Sequence, residues 1–195
     1  MFQEVDKHIT RCGAISSTEL EIIHSRLKPR TIRKKMLLLR QGEVCKFEAY
    51  IIKGCMKKYY IDQKGDEVIL QFAVEDWWIS DISSFTEQKP SNLFIEAMED
   101  TELLLIDYES KEELYREIPQ LERVFRLMLQ RAYAVLENRF YATVAHSAEE
   151  RYLDFIKRYP TIPQRVPQQQ IASYLGITPE SLSRIKSNLY KKRHV

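Results

Sequence analysis

Four polar side chains near the C-terminal end, Glu180, Ser183, Arg184 and Ser187, recur at i, i+3, i+4 and i+7. On a helix that spacing puts them on one stripe. Their chemistry suits the reading of nucleic-acid bases. A guanidinium at Arg184 can donate two hydrogen bonds to guanine O6 and N7, and a carboxylate at Glu180 can accept one from cytosine N4. Each good pairing discriminates by about 1–3 kcal/mol. A plain solvated helix end would carry similar residues, so the stripe needs support from the elements around it.

Those elements are legible. Gln168–Leu175 reads as a short helix closed by Gly176, since only glycine takes a left-handed turn without strain. Thr178 is placed to cap a second helix, with Pro179 at its first position, where the missing N–H costs nothing. Ala172 is small enough for two helices to cross closely. Leu175, Ile177, Leu182, Ile185 and Leu189 supply the apolar filling between them. The unit is a helix-turn-helix, and double-stranded DNA is the partner it implies. Gln168, Gln169, Gln170, Thr178 and Ser181 are expected to bond phosphates, fixing register without reading sequence. Lys186, Lys191, Lys192 and Arg193 are expected to add salt-dependent attraction.

Charge is distributed accordingly. Residues 151–195 hold nine basic and two acidic residues, a net +7; the whole chain is +2, so residues 1–150 carry −5. An acidic body with a basic tail points to a polyanion at the C-terminal end. The 195 residues, 44% of them apolar, fit one large or two small domains. No apolar run reaches the length of a membrane span, and the start of the chain lacks a signal-peptide pattern. Cys12, Cys45 and Cys55 form no C-x-x-C pair, which argues against a disulfide framework or a thiolate metal site and for a reducing, cytoplasmic compartment.

Upstream, Ser16-Ser17-Thr18-Glu19 is a capping box opening a helix, with a weaker helical stretch at Phe2–Cys12. From Thr31 to Asp107 the period becomes that of strands: Lys35–Leu39, Ala49–Lys53, Met56–Ile61, Glu67–Val74, Leu93–Met98 and Glu102–Ile106, separated by turn residues. A capping box at Ser110–Glu113 opens a short helix. A long helix follows from Pro119 to His146, which would span about 42 Å. Its first apolar stripe, Leu121, Phe125, Met128, Ala132 and Val135, is expected to form a dimer seam. A second stripe holds Val124, Leu127, Tyr133, Leu136 and Phe140. Ser147–Glu150 is a third capping box, and the helix it opens runs to Arg158. The expected division is a β-roll sensor at 1–118, a dimerisation helix at 119–146 and a DNA-binding domain at 147–195.

In this order of elements the chain resembles the Crp/Fnr family of bacterial transcription regulators over nearly its full length. That family's recognition helix commonly begins Arg-Glu-Thr-Val-x-Arg; Pro179-Glu180-Ser181-Leu182-Ser183-Arg184 keeps the Glu and the final Arg and replaces the first Arg by Pro. Ser-Ala-Glu-Glu-Arg-Tyr at 147–152 is similar to regulators common in the Bacteroidetes. The resemblance implies an α+β fold: a cyclic-nucleotide-binding-like β-roll, or jelly roll, with flanking helices, a long dimerisation helix and a C-terminal winged-type helix-turn-helix. It implies a homodimer on DNA, a small-molecule effector and room for RNA polymerase as a further partner.

The sensory half departs from the cyclic-nucleotide pattern. That cassette carries Gly-Glu, whose Glu takes the ribose, and then an Arg for the cyclic phosphate. After Asp76-Trp77-Trp78, Ile79 and Ser80 are read at the Gly-Glu positions, and Lys89-Pro90-Ser91-Asn92-Leu93 holds no Arg. Without that fork, tight cAMP binding is not expected, and Lys89 would substitute only by pointing inward. Trp77, Trp78, Ser80, Ser91 and Asn92 are the candidate lining of an effector pocket. Adjacent Trp77 and Trp78 should face opposite sides of a strand. No cofactor is expected: an iron–sulfur cluster needs several thiolates, and Cys12 stands alone near the N-terminus. An enzyme is disfavoured, because every His lies outside 31–107 and no nucleophile or phosphate-loop motif is present. A cAMP-responsive regulator and a sensing module that governs a protein partner are the alternatives.

Overall fold

In the computed structural model, residues 1–193 are described, with side chains through Lys192. Arg193, a predicted phosphate contact, therefore has its side chain outside the described residues. The order is α1 (Gln3–Thr10), α2 (Ser17–Arg26), β1 (Lys28–Ile32), β2 (Leu37–Leu39), β3 (Glu48–Lys53), β4 (Met56–Ile61), β5 (Glu67–Ala73), β6 (Trp78–Ile79), α3 (Ile82–Glu87), β7 (Phe94–Ala97), β8 (Thr101–Ile106), α4 (Tyr108–Glu117), α5 (Gln120–Ala145), α6 (Ala148–Arg158), α7 (Ile162–Arg165), α8 (Gln168–Leu175) and α9 (Pro179–Arg193). No helix among them is long and apolar enough to cross a membrane.

Two compact units result. One holds residues 1–59 and 72–132; the other holds residues 60–71 and 133–195. The division thus falls inside α5 rather than at its ends, and the tip of the β4–β5 hairpin goes with the C-terminal unit.

The strands form two four-stranded sheets, β1-β8-β3-β6 and β2-β7-β4-β5. Pairs β1–β8, β3–β8, β3–β6, β2–β7 and β4–β7 are antiparallel. Strand β3 shows why the roll and the helices form one unit. Its Ala49 and Ile51 enter the core between the sheets, while Tyr50 faces the helices. All three are fully buried, so both faces of this strand are covered. The helix-side core joins Val5 and Ile9 of α1, Ile23 of α2, Leu114 of α4 and Leu121 and Val124 of α5 to Tyr50, Leu104 and Ile106. Gly54 turns β3 into β4 with φ +114°, where an added Cβ would lie 2.4 Å from Thr101 Oγ1.

Helix α1 is fastened by charge as well. Asp76, at φ +68°, accepts from Arg11 at 2.7 and 2.8 Å and from Tyr50 Oη at 2.9 Å, and lies 2.6 Å from His8 Nδ1. Burial alone would raise the Asp76 carboxyl; the bonds from Arg11, His8 and Tyr50 outweigh it and hold the group below its ordinary range.

The capping boxes at Ser16/Glu19 and Ser147/Glu150 are both formed, each with reciprocal side-chain and backbone bonds. The third is not. Helix α4 starts earlier, at Tyr108, because the Asp107 side chain accepts from Ser110 N at 2.8 Å. Strands β1 and β6 and helices α3 and α7 are additions to the expected elements. Among the described residues no strand follows β8, so the wing strands of a winged-type unit are not among them.

The long helix corrects one expectation. Leu121 is fully buried in the chain's own core, and Phe125 and Met128 pack against that core. Of the other stripe, Val124 is fully buried and Leu127 packs against the same core, while Tyr133, Leu136 and Phe140 reach solvent together with Leu129 and Val144, these five being 58–77% exposed. Ala132 is exposed and Val135 half-buried, at their margin.

Candidate nucleic-acid interface and effector cassette

The C-terminal unit has an aromatic and aliphatic core. Phe155, Tyr159 and Tyr174 pack ring to ring. Ile171, Ala172, Leu175, Leu182 and Ile185 are buried with them. Gly176 takes φ +67° after α8 and its N–H bonds back to Ser173 O at 3.1 Å, so the chain reverses as the glycine requires. Thr178 Oγ1 accepts from Ser181 N at 3.2 Å and so caps α9. With Leu182 and Ile185 turned inward, Glu180, Ser183, Arg184 and Ser187 are all exposed on the opposite side. The Glu180 carboxyl is held below its ordinary range by its own backbone N–H, then by the Thr178 hydroxyl, with Arg184 adding attraction. It is an ionised acceptor at neutral pH.

The expected phosphate contacts divide. Gln168 and Gln169 are exposed at the start of α8. Gln170 is not free: its Nε2 lies 3.4 Å from Glu67 Oε2, and its Oε1 is buried with no hydrogen-bond partner. The Thr178 hydroxyl is occupied by the cap, and Ser181 Oγ bonds to it at 3.1 Å. Lys186 is half-buried and Lys191 exposed. Lys192 is exposed but pairs with Glu149 at 2.8 Å.

One contributor escaped the sequence reading. Arg139, within the exposed apolar stripe of α5, donates to Leu70 O, to Ile69 O at 3.1 Å and to Tyr174 O at 3.0 Å, and lies 4.0 Å from the centre of the Tyr174 ring. A single cation among Leu136, Phe140 and Tyr141 was the signal available.

The effector candidates are not gathered into one pocket. Trp77 packs against the core between the sheets, and Trp78 against the helix-side core with Tyr50 and Phe125. The two do face opposite ways. Ser80 Oγ donates to Phe47 O at 2.9 Å. Ile79 is buried in the core, and the carboxylate of this region is Asp81, one residue beyond the expected position. Its Oδ1 caps α3 through Ser84 N, and its Oδ2 accepts from Ser91 Oγ at 2.6 Å. Asn92 lines a cavity of about 350 Å³ on the outer side of α3, with Asp81, Ser83, Ser84, Glu87 and Lys89. Lys89 points outward, 73% exposed and paired with Glu87 at 2.9 Å. The cation facing the cassette is Lys58 of β4, whose Nζ donates to Ser80 O at 2.9 Å. Burial depresses its pKa, against the attraction of Asp81 and Cys45. Among the described residues no three His, Cys, Asp or Glu side chains gather as a metal site. Cys12, Cys45 and Cys55 are buried, and none of the three forms a disulfide.

Residues 29–117 match the sequence profile of the cyclic nucleotide-binding domain. The fumarate and nitrate reduction regulatory protein of Vibrio cholerae is 26% identical over 184 residues, covering 89% of this chain and 72% of its own. Among solved structures, FixK2 from Bradyrhizobium japonicum superposes with a TM-score of 0.75 at 20% identity, over 85% of each chain. The c-di-GMP responsive regulator CLP of Xanthomonas campestris superposes with a TM-score of 0.72 at 15% identity, over 91% of this chain and 93% of its own. The chain thus carries a cyclic nucleotide-binding domain and is similar over most of its length to transcription regulators of the Crp/Fnr kind. Its relatives are regulators and not enzymes. This chain combines an exposed Glu/Arg stripe with a cassette region whose Asp81 is engaged by Ser91.

Proposed function

We propose that the protein acts as a homodimer that places two α9 helices in successive major grooves, with half-sites about one helical turn apart. The observation that carries this reading is the exposed stripe of Glu180, Ser183, Arg184 and Ser187 on a helix whose other side is buried. Arg184 and Glu180 read bases; Ser183 and Ser187 lie on the same stripe. Gln168, Gln169, Lys186 and Lys191 supply phosphate contacts and attraction. The dimer seam is Leu129, Tyr133, Leu136, Phe140 and Val144, since an exposed apolar stripe at 4-3-4-4 spacing needs a second surface. RNA polymerase remains a partner by family likeness, and the compartment is the cytoplasm.

The β-roll does not take cAMP in the usual way. Asp81 is committed to Ser91 and to the α3 cap, and the cavity it lines holds no arginine among the described residues. A cyclic phosphate brought here would meet that carboxylate without a guanidinium to balance it. The test is selection from a randomised duplex library, with and without cAMP. A two-fold-symmetric motif enriched equally in both supports the reading. Enrichment only with cAMP would show that the cassette works despite Asp81 and Ser91. No enriched motif in either would favour a module that acts on a protein partner.

A further inference from the structure

The C-terminal unit contains twelve residues that do not belong to it in sequence, the hairpin tip 60–71. They are fastened to α8, the helix whose first turn is proposed to meet phosphates. Ser173 Oγ donates to Glu67 O at 2.7 Å and accepts from Ile69 N at 3.1 Å. Arg139 closes the other side by donating to Ile69 O, Leu70 O and Tyr174 O. The hairpin backbone is thus bonded by one hydroxyl and one guanidinium, and a guanidinium that binds several carbonyls at once is a strong clamp.

We infer that this hairpin is a built-in brake on DNA binding, with Arg139 and Ser173 as its fasteners; the inference rests on the DNA-reading function proposed above. Two independent observations point the same way. The tip carries three carboxylates, Asp62, Asp66 and Glu67, against one lysine, Lys64. The Asp62 carboxyl is kept ionised by the backbone N–H groups of Asp66 and Lys64. Glu67 is held against α8 at Gln170 and Ser173, and its charge, backed by Asp62 and Asp66 in the same tip, repels the phosphates that α8 must approach. The tip also takes a DNA-facing side chain out of use. Gln170 is turned to Glu67, and its Oε1 is left buried without a partner. Strong fasteners set against the repulsion between the tip's carboxylates and an approaching phosphate make an element whose closed and open states bound DNA can tip. Tyr60 directly follows Tyr59 and Lys58 on β4, so a change at the cassette has a covalent route to the tip.

The test uses the full-length protein, wild type and three variants: Arg139→Ala, Ser173→Ala and Glu67→Gln. Hydrogen exchange at residues 67–71 reads the clasp, and binding to the selected operator reads the function. Opening the clasp raises the fraction of protein able to bind, so Ser173→Ala should tighten operator binding about tenfold and speed exchange of the Ile69 amide. Glu67→Gln should tighten binding without lowering its salt dependence, the gain being larger at low salt. If Arg139→Ala fails to fold, the two milder variants still decide. Faster exchange with unchanged or weaker operator binding would overturn the brake and leave DNA reading intact. Unchanged exchange in Ser173→Ala would show that the clasp is not held in solution and would also overturn it. Failure of wild type and every variant to prefer any sequence would sink the DNA reading itself, and the brake with it.

Discussion

Phe140→Ala should take the dimer apart while leaving the subunit folded. Phe140 is 72% exposed in the single chain, so little of the fold depends on it. Full burial of a phenylalanine stabilises by roughly 1.5–3 kcal/mol. The exposed share gives about 1–2 kcal/mol per copy, and a two-fold interface counts each residue twice. The substitution therefore costs about 2–4 kcal/mol of association, a rise of about 30- to 1,000-fold in the dimer dissociation constant. Sedimentation equilibrium across a range of protein concentrations measures that constant, and thermal unfolding of the monomer checks the fold. Leu121→Ala is the opposite control: fully buried in the subunit core, it should lower stability by about 2–5 kcal/mol and leave association of the folded protein unchanged. An unaltered constant in Phe140→Ala, or a loss of association in Leu121→Ala at full folding, would refute the assignment of the two stripes.

Arg184→Ala should relax base preference at one position per half-site by about 1–3 kcal/mol, read on operators with single substitutions; an equal loss on every sequence would contradict base reading. Asp107 gives a pH signature. Burial would raise its carboxyl, but Lys28 and the N–H and hydroxyl of Ser110 bring it to about 2, below the ordinary 3.8. A depressed folded value means stability present above about pH 4 and lost as pH falls towards 2. Urea midpoints at pH 6 and pH 2.5 should differ less in Asp107→Asn than in wild type; an equal difference would remove Asp107 from the acid limb. Gly54→Ala should destabilise by more than about 2 kcal/mol, since both its left-handed φ and the Thr101 contact resist a Cβ. Gly65→Ala, at φ +88° with nothing within 4 Å of the added Cβ, should lower the thermal midpoint less.

The parts that were legible in the sequence are those whose signals are local. Gly176, Thr178 and Pro179 mark a turn and a cap by their own backbone preferences, and the structure forms both. The same holds for the boxes at Ser16 and Ser147. Strand β1 was hidden because only Ile32 of its five residues is buried, so it lacks alternation, and Pro29 reads equally well as a helix stop. Helix α4 was misplaced by three residues because Asp107 and Ser110 are both credible caps, and tertiary packing chose between them. The stripes of α5 were visible, but which one faces its own subunit is decided by where α1 and the roll lie. Arg139 and Lys58 were missed for a common reason. Their partners are backbone carbonyls distant in sequence, and a carbonyl leaves no mark in the residue pattern.

The fastening of α1 to Asp76 sets an order on how the molecule can be made. Helix α1 leaves the ribosome early, yet the groups that hold it come later: Tyr50 on β3, Asp76 before β6, Leu104 on β8 and Val124 on α5. Val5 and Ile9 must therefore wait, uncovered, until more than a hundred further residues have been synthesised. Contacts of such separation form slowly, and exposed apolar helices invite association in the meantime. Completion of the sensor unit thus waits for the start of α5, and until then the apolar face of α1 is the exposed part of the growing chain.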